Sequence, residues 1–267
     1  MFGISQKDSL ENFRDELLKH EDLTREQISW LQSLNLSIHK KEVGYLENGV
    51  HYLRVGLSAM ASIQKVLEAA SQAPPKAILD YPAGFGRVLR FLKVAFPDAR
   101  INAAEIDAQA VKFFRSAFRV PAWLCKANPD LNQGRDTYDL VWCGSLLTHS
   151  TSEQIERILR YFFRSLNPGG ICVFTTHGEK VEGLLGSGEI TYSLPDRAVQ
   201  DLLKQFRKTG FGFVDYEPAK MQYGISLSSD DCIRHLAQKA GDWNCTYFQP
   251  AGWDNHQDVY GFTKASN

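Results

Sequence analysis

Hydrophobic spacing is helical over the first seventy residues of the chain. Apolar residues recur at three- and four-residue intervals in residues 10–18 and 28–34, which predicts two amphipathic helices. Thr24 and Gln27 predict a capping box at the start of the second helix. Residues 40–56 are rich in glycine, tyrosine and charge and predict a loop. A third helix is predicted from about Gly56 to the prolines that follow Ala73.

From residue 77 onward, short apolar runs alternate with helical stretches. Five runs predict strands, at residues 77–81, 101–106, 122–125, 138–143 and 171–175. The sequence Asn-Pro-Gly-Gly at 167–170 predicts the end of a helix. Strands separated by helices form βαβ units and hence a parallel sheet. Runs at 244–248 and 259–262 predict an antiparallel hairpin that closes the sheet.

These elements predict an α/β fold, doubly wound and Rossmann-like, with a mostly parallel seven-stranded sheet and an antiparallel last strand. Residues 1–72 are expected to form a helical extension or cap, and 73–267 the main domain. Residues 178–227 are too long for an ordinary connection after strand five, and predict an insertion that acts as a substrate lid. A helix near 196–208 and a strand near 212–216 are expected within it. Ser228 and Asp231 indicate the start of a further helix.

Composition excludes several classes of protein. The net charge is −1 with no basic stripe, so nucleic acid is not expected as a partner. No apolar run predicts a signal peptide or a membrane span. The five cysteines are odd in number and form no CxxC pair, which favours free thiols and a cytoplasmic location. The oligomeric state is left open.

The sequence ILDYPAGFGRVLR at 78–90 carries the strongest functional signal. A strand ends at Asp80, a glycine turn follows, and a helix begins whose free N–H groups can meet a ligand. A dinucleotide fingerprint requires a third glycine where this chain has Leu89, which argues against NAD or FAD. Glu105 ends strand two, where a carboxylate can accept hydrogen bonds from both ribose hydroxyls. Together these features favour an adenosine ligand without a pyrophosphate.

With INAAEID, YDLVWCGSLLTHS and LNPGGICVFTTH, this segment resembles the class I S-adenosylmethionine-dependent methyltransferases. Pro82 stands where the family usually has its first glycine. This proline variant is familiar in a bacterial branch of the family that acts on small molecules. The segments GWDNHQDVYGF and QYGISLSS also resemble that branch. The resemblance implies S-adenosylmethionine as the cofactor and a set of residues that contact it. The methionine part of the cofactor would be held by Asp80, Ala83, Gly84, Phe85 and Gly86. Glu105 would hold the ribose, Ile106 would pack on the adenine, and Asn128 or Asp130 would meet the adenine amine. The exit of strand four beneath the cofactor would be lined by Cys143, Gly144 and Ser145.

Two histidines are candidate general bases. His149 follows strand four near the expected methyl position, although it could equally cap or pack beside the next helix. His256 lies in the polar hairpin turn Trp-Asp-Asn-His-Gln-Asp, whose side chains could instead satisfy their own backbone.

Further residues are candidates for ligand contact. Arg54 could clamp the cofactor carboxylate if the N-terminal segment folds over the site. Candidate substrate contacts are Tyr45, His51, Tyr52, His177, Tyr192, Trp253 and Asn255. For each of these, solvation or packing is the competing interpretation.

The predicted activity is methyl transfer to a small molecule or biosynthetic intermediate, at oxygen or nitrogen. No His/Cys/Asp cluster has metal-ligand spacing and no G-x-S-x-G elbow occurs, so neither a metal site nor a serine nucleophile is expected. The alternative from another class is a non-catalytic protein that binds the cofactor on the same fold. An NAD-dependent reductase is disfavoured by Leu89.

Overall fold

The computed structural model describes residues 9–19, 22–42, 44–45, 48–132, 136–216 and 222–266. Its N-terminal part is helical, as predicted, with α1 at Leu10–Leu17, α2 at Arg25–Ser33 and α3 at Gly49–Ala69. The capping box of Thr24 and Gln27 is present at the start of α2. Within the described ranges, no helix combines the length and the apolar character that crossing a membrane requires.

Helix α3 begins seven residues earlier than the sequence predicts, and the predicted loop at 40–56 is wrong from Gly49 onward. The side chain of Asn48 caps the helix by accepting a hydrogen bond from the backbone N–H of His51 at 3.0 Å. A Cβ on Gly49 would lie 2.0 Å from the Phe13 ring, and one on Gly56 would lie 2.1 Å from the Phe91 ring. Both glycines therefore allow close packing against an aromatic ring, which local sequence does not reveal.

A seven-stranded sheet forms the centre of the molecule, which confirms the predicted doubly wound fold. Its strands are β1 Ala77–Asp80, β2 Arg100–Glu105, β3 Ala122–Leu124, β4 Tyr138–Cys143, β5 Leu166–Thr176, β8 Trp243–Trp253 and β9 Gln257–Lys264. Their order is β3-β2-β1-β4-β5-β9-β8. The first five strands pair in parallel, and β9 pairs antiparallel with both β5 and β8. The chain reverses between β1 and β4, and open α/β sheets bind ligands at such a reversal.

Helices cover both faces of the sheet. On one face, α3 and α4 (Leu89–Ala95) share a buried core with α5 (Ala108–Phe113). On the other face, α6 (Ser152–Ser165) and α9 (Asp230–Ala240) pack over the sheet. The five cysteines are all unpaired, and Cys125, Cys143 and Cys172 are buried.

Strand β5 begins earlier than predicted. Residues 167–170 belong to this strand rather than ending the preceding helix. Gly169 has a positive φ of 76°, and the pairing register with β4 shifts between Tyr138 and Leu140. The glycines therefore produce an irregularity in the strand, a use of glycine that the sequence pattern does not separate from a helix end.

The insertion after β5 is a small layer with its own core. The predicted helix and strand are present, as α8 (Asp196–Thr209) and β6 (Phe211–Asp215). The sequence analysis missed α7 (Glu179–Ser187) and β7 (Gly224–Ser228), which pairs antiparallel with β6. Its buried core comprises Val181, Leu185, Leu194, Val199, Leu202, Leu203, Ile225 and Leu227. This core gives the insertion a defined shape over the carboxyl ends of the sheet strands.

A buried arginine joins the N-terminal segment to the main domain. Arg90 of α4 is 1% exposed. Its guanidinium donates to the carbonyl of Asn35 at 2.6 Å, to that of Ser37 at 3.2 Å and to the Tyr52 hydroxyl at 3.1 Å, and its Nε donates to the Gly86 carbonyl at 3.1 Å. A buried charge is tolerated only when its donors are satisfied, and here all four acceptors are neutral oxygens.

We expect Arg90→Met to lower the free energy of unfolding by about 2–4 kcal/mol, because it removes the buried donor that links the Asn35, Ser37 and Gly86 carbonyl groups. Urea unfolding followed by circular dichroism measures this change. The matched control, Arg197→Met, replaces an exposed arginine of α8 and should change the free energy by less than about 0.5 kcal/mol. Equal effects of the two substitutions would contradict a joining role for Arg90.

Candidate functional site

A glycine turn follows β1 at the centre of the sheet edge. The peptide bond between Tyr81 and Pro82 is cis, and Gly84 and Gly86 have positive φ angles of 56° and 92°. A Cβ placed on Gly84 would meet no atom within 4 Å, so this part of the turn faces open space. A ligand can therefore approach the backbone closely at Gly84.

Asp80 is a buried carboxylate with unmet bonding capacity. Its side chain is 1% exposed, and among the described residues neither carboxylate oxygen has a hydrogen-bond partner. Burial, together with the nearby charge of Glu105, raises the pKa of Asp80 well above its ordinary value. A cationic group placed beside it would relieve this cost, so Asp80 is suited to bind the ammonium of an amino-acid moiety.

Glu105 ties the end of β2 to the glycine turn. One carboxylate oxygen accepts the N–H of Gly84 at 2.8 Å, and the other accepts that of Ile106 at 2.7 Å. Burial raises the pKa of Glu105, while these backbone donors oppose the shift. The oxygen that accepts from Ile106 also accepts the N–H of Asp107 at 3.4 Å, whereas the oxygen bound to Gly84 can accept a second hydrogen bond from a ligand hydroxyl. The neighbouring Ile106 is 55% exposed, which leaves an apolar surface beside the carboxylate.

A cavity of about 540 Å³ lies along this edge of the sheet. Its lining comes from the ends of β1, β2 and β3, the segment after β4, helix α6 and the insertion: Tyr81, Pro82, Glu105, Ile106, Cys125, Lys126, Ala127, Asn128, Pro129, Ser145, Leu146, His149, Ser150, Gln154, Arg157, Ile158, Gln222 and Tyr223. Five residues named by the sequence analysis thus lie on one cavity, namely Glu105, Ile106, Asn128, Ser145 and His149.

The structure places Asn128, and not Asp130, on the cavity wall. Asp130 forms an ion pair with Arg164 of α6 at 2.5 Å instead. Of the two residues proposed for the adenine amine, Asn128 has the suitable position.

The exit of β4 is held by the hairpin turn between β8 and β9. The Trp253 ring would lie 2.9 Å from a Cβ on Gly144, so only glycine fits there. Ser145 has a φ of 58°. Its backbone N–H donates to the Thr175 hydroxyl at 2.9 Å, and its hydroxyl oxygen accepts from the Gln257 amide at 2.7 Å. Cys143 departs from the prediction, because its thiol is fully buried in the core beside α6 and α9.

His149 lies on the cavity wall in a defined tautomer. Its Nδ1 is 2.7 Å from the Gly224 carbonyl oxygen, and because a carbonyl only accepts, Nδ1 carries the hydrogen. The Nε2 atom of a neutral ring is then an acceptor. The ring stacks on Tyr223 of the insertion at 4.9 Å between centroids. Burial lowers the pKa of His149, which favours the neutral form.

A second polar cluster lies where β5, the insertion and the hairpin turn meet. The Tyr192 hydroxyl is 3.2 Å from His177 Nε2 and 2.5 Å from His256 Nε2. His177 is 3% exposed, whereas His256 is half-buried. We refer to these residues as the His177–Tyr192–His256 cluster. The sequence analysis named all three, His256 as a candidate base and the other two as candidate substrate contacts.

The N-terminal candidates lie away from the cavity lining. Tyr52 is buried in the core and bonds Arg90, so its predicted substrate contact is not supported. Tyr45 packs edge-on against the Tyr52 ring. His51 is exposed, and its Nε2 lies 3.3 Å from an Asp254 carboxylate oxygen. Arg54 is on the exposed side of α3.

Arg87 is a residue that the sequence analysis missed. It follows the glycine turn directly, and its guanidinium lies 5.7 Å from the ring centroid of Tyr52 and 5.9 Å from that of Trp253. An arginine directly after the glycine turn was the available signal. Arg87 thus lies beside the turn, whereas Arg54 lies on the exposed side of α3.

Of the remaining candidates, Phe85, Ala83 and Trp253 pack within the protein, whereas Asn255 is exposed. Phe85 stacks on His39 of the N-terminal segment at 4.5 Å between centroids, and Ala83 is buried. Trp253 is buried and donates from Nε1 to the Val55 carbonyl at 3.0 Å. Asn255 is exposed with a φ of 51°. In the part of the chain that the structure describes, no group of three or more metal-binding side chains comes together.

Residues 78–170 match the family model described as a methyltransferase domain. Over these residues the chain carries a methyltransferase domain. The match begins in β1 and ends in β5, so it covers the glycine turn, Glu105 and the exit of β4. No curated protein matches the sequence.

Solved structures share the fold of this methyltransferase at low sequence identity. DesVI from Streptomyces venezuelae is 14% identical, with a TM-score of 0.58 over 86% of this chain and 100% of DesVI. A S-adenosylmethionine-dependent methyltransferase from Clostridium acetobutylicum ATCC 824 is 10% identical, with a TM-score of 0.54 over 78% of this chain and 92% of its own. PigF, solved with SAH, is 16% identical, with a TM-score of 0.54 over 97% and 71% of the two chains. At these identities the likeness establishes the fold.

We expect Asp80→Asn to stabilise the ligand-free methyltransferase and to weaken its binding of S-adenosylhomocysteine. Removing the charge should stabilise the fold at neutral pH by about 1–3 kcal/mol, because the raised pKa of Asp80 makes the ionised form costly when folded. Because that pKa is raised in the folded state, the wild type should lose stability relative to Asp80→Asn as pH rises above 3.8. Ligand affinity should fall about 10- to 100-fold through loss of a charge-assisted hydrogen bond.

Urea unfolding across a pH series and titration calorimetry measure the two effects. The exposed Asp98 provides the control, since Asp98→Asn should leave both quantities nearly unchanged. Weaker binding together with a destabilised fold would show that Asp80 is a structural residue rather than a binding one.

Proposed function

We propose that the protein transfers a methyl group from S-adenosylmethionine to a hydroxyl or amino group of a small-molecule acceptor. The proposal rests on one cavity, which runs from Glu105 and Ile106, past Ser145, to His149 and Tyr223. Its two ends differ in chemistry, with a carboxylate and an apolar patch at one end and an imidazole under an aromatic ring at the other. A volume of about 540 Å³ lies in the range of small-molecule sites.

The residues at the sheet edge fit the cofactor. Asp80 would pair with its ammonium and Arg87 with its carboxylate, while the open side of Gly84 admits its chain. Glu105 would accept the ribose hydroxyls. Ile106 would pack on the adenine, with Asn128 at its edge.

The insertion supports a small acceptor enclosed by the protein. Tyr223 lines the cavity and stacks on His149, while Tyr192 reaches the histidines at the end of β5 and in the hairpin turn. We propose that residues 178–227 act as the lid over the acceptor. The helical segment up to residue 72 would be the cap on the other side of the glycine turn.

The chemistry required of the protein is alignment and exclusion of water. The cofactor supplies an activated methyl on sulfur, and its departing sulfur is neutral, so little charge develops on the leaving side. Holding the acceptor atom in line with the methyl carbon supplies most of the acceleration. His149 and His256 are candidate acceptors for the proton that the nucleophile loses, since burial lowers the pKa of both rings and keeps them neutral.

The unpaired cysteines support a cytoplasmic location.

Calorimetric titration with S-adenosylhomocysteine tests the cofactor half of the proposal. We expect saturable binding, which Glu105→Ala weakens by about 1–3 kcal/mol through lost charge-assisted hydrogen bonds. Glu182 offers a matched control, because it pairs with Arg207 within the insertion and Glu182→Ala should leave the affinity unchanged. Absence of binding at millimolar ligand would overturn the proposal.

The acceptor half is tested with cofactor that carries a ¹³C-labelled methyl group. The protein is incubated with separate panels of phenols, aliphatic alcohols and primary amines, and labelled products are detected by NMR. Labelled O-methyl or N-methyl product is expected from at least one panel. Tight cofactor binding without transfer to any panel would favour the non-catalytic alternative.

A further inference from the structure

Helix α6 carries three arginines, and two of them are paired with acids of the protein. Arg160 forms an ion pair with Glu156, one turn earlier in the helix, and Arg164 forms one with Asp130 at 2.5 Å. Arg157 lines the cavity, and it forms no ion pair with any residue that the structure describes. The arginine of α6 that lies on the cavity wall is therefore the one without an anionic partner.

A lysine adds a second positive charge to the same wall. Lys126, two residues after β3, lines the cavity and also forms no ion pair within the described ranges. Among the described lining residues Glu105 is the only acid, and its two oxygens already accept the N–H groups of Gly84 and Ile106. Arg157 and Lys126 are both exposed, so a ligand that enters the cavity from solvent can reach them.

The capping box of α6 orients a further hydrogen-bond donor. Oε1 of Gln154 accepts the N–H of Thr151 at 2.8 Å, and the N–H of Gln154 donates to the Thr151 hydroxyl at 3.3 Å. Because Oε1 is held at the start of the helix, the amide NH₂ of Gln154 is the end left for a ligand, and Gln154 lines the cavity. Arg157 follows three residues later, on the same side of the helix. The two side chains therefore offer N–H donors in one region of the wall.

An acid on the same helix does not remove the charge of Arg157. Glu153 precedes Arg157 by four residues and interacts with its charge, but the two groups form no ion pair. Both side chains are exposed, and water and salt screen the interaction between exposed charges. Arg157 thus retains its hydrogen-bonding capacity for a ligand.

The wall beside these donors is apolar and aromatic. Leu146 and Ile158 line the cavity, and the Tyr223 ring is 52% exposed while it stacks on His149. A cavity of this kind matches a ligand with an apolar or aromatic body and an anionic end.

We propose that Arg157, Gln154 and Lys126 form an anion site for a carboxylate or phosphate carried by the methyl acceptor, so that the protein selects an anionic substrate. This inference rests on the proposed function and narrows its acceptor. The planar guanidinium of Arg157 matches two oxygens of such a group, the Gln154 amide donates a further hydrogen bond, and Lys126 supplies a point charge. The apolar body of the acceptor lies against Tyr223.

The charge of the wall favours the acceptor over the adenine of the cofactor as the partner of Arg157. Adenine is uncharged, so two cations without carboxylate partners gain little from it, whereas complementary charge selects an anionic ligand. The charged ends of the cofactor are assigned to Asp80 and Arg87 at the glycine turn. An anion at Arg157 therefore comes from the second ligand.

Titration calorimetry with small probes tests the anion site without turnover. Benzoate, phenyl phosphate and the uncharged benzyl alcohol are titrated into the free protein and into its complex with S-adenosylhomocysteine. We expect at least one of the two anions to bind about 10-fold more tightly than benzyl alcohol, with an affinity that falls as salt is added. The anion that binds better distinguishes a carboxylate site from a phosphate site. Arg157→Gln should remove the preference for the anion and leave the affinity for S-adenosylhomocysteine unchanged.

Arg160→Gln is the matched control. It removes the same charge from the next turn of α6, where the arginine is paired with Glu156. This substitution should leave the affinity for the anions within about twofold of the wild type. Because Arg157 is exposed, Arg157→Gln should unfold at the same temperature as the wild type.

Three results would overturn the proposal. In the first, neither anion binds more tightly than benzyl alcohol, which includes the case that no probe binds. In the second, Arg157→Gln weakens S-adenosylhomocysteine as much as it weakens the anions, which would assign Arg157 to the cofactor. In the third, Arg160→Gln has the same effect as Arg157→Gln, which would show a general effect of charge.

Methyl transfer provides a second readout. Each panel of acceptors is divided into members with and without a carboxylate or phosphate. We expect labelled product chiefly from the anionic members, and Arg157→Gln should raise their KM about 10- to 100-fold with a nearly unchanged kcat, since it removes binding that the ground state and the transition state share. Product from the uncharged members alone would contradict the selection of an anionic substrate.

Failure of the proposed function has a different signature. In that case the wild type binds no S-adenosylhomocysteine or transfers no methyl group to any panel, whereas the probes still report whether the free protein has an anion site that depends on Arg157. Transfer to uncharged acceptors without any preference for the anionic probes would leave the proposed function standing and would overturn the anion site.

Discussion

The position of the glycine turn depends on one buried guanidinium. Arg90 donates to a carbonyl of that turn, at Gly86, and also to two carbonyls of the N-terminal segment, at Asn35 and Ser37. The N–H groups of a guanidinium that is buried away from water must find hydrogen-bond acceptors within the protein. Because its five N–H groups lie in one plane, the acceptors must be held at defined positions around it. The N-terminal segment is thereby held against the turn. The stack of His39 on Phe85 and the ion pair of Lys41 with Asp107 extend the same contact along the sheet edge.

This arrangement explains how residues far apart in sequence reach one sheet edge. Parallel strands deliver Asp80, Glu105 and Ser145 to the same side of the sheet because their carboxyl ends coincide. The hairpin between β8 and β9 adds a wall, fastened to the β4 exit by the Gln257 amide. The insertion adds tyrosines that meet the histidines of the edge. Rigid strands therefore carry the groups proposed for the cofactor, and connecting segments carry the groups proposed for the acceptor, a division expected where loops carry specificity.

Local sequence was sufficient to predict those elements whose residues interact with near neighbours along the chain. The strand, glycine turn and helix around Asp80 are contiguous, and the strand alternation with Glu105 at the end of β2 follows from neighbouring residues. Gly49 was assigned to a loop and Gly56 to the start of the helix, because their use lies in contacts with Phe13 and Phe91, which tertiary structure alone brings near. The extension of β5 through Gly169 was missed for a similar reason, since pairing with β4 overrides the turn propensity of the glycines.

In the candidate site, too, some features follow from local sequence and others depend on tertiary contacts. Tyr192 and His256 are 64 positions apart, so no periodicity or motif could have shown their hydrogen bond. Asp130 and Arg54 were plausible by order along the chain, but the side chain of the first pairs with Arg164 and the second lies on the exposed side of α3. Sequence thus identified the residue types of the site, whereas their pairing required the fold.

Asp80 and His256, two polar side chains of this site, differ in how their hydrogen bonds are satisfied. Asp80 lacks a hydrogen-bond partner among the described residues, and its raised pKa means that the ligand-free fold bears a cost which a cationic ligand would remove. The imidazole of His256 is different, because its bond to Tyr192 satisfies one nitrogen whether the ring is neutral or charged. The first group therefore stores binding energy for a ligand that arrives with a charge. The second keeps its partner in either protonation state, which is the property that a general base would require.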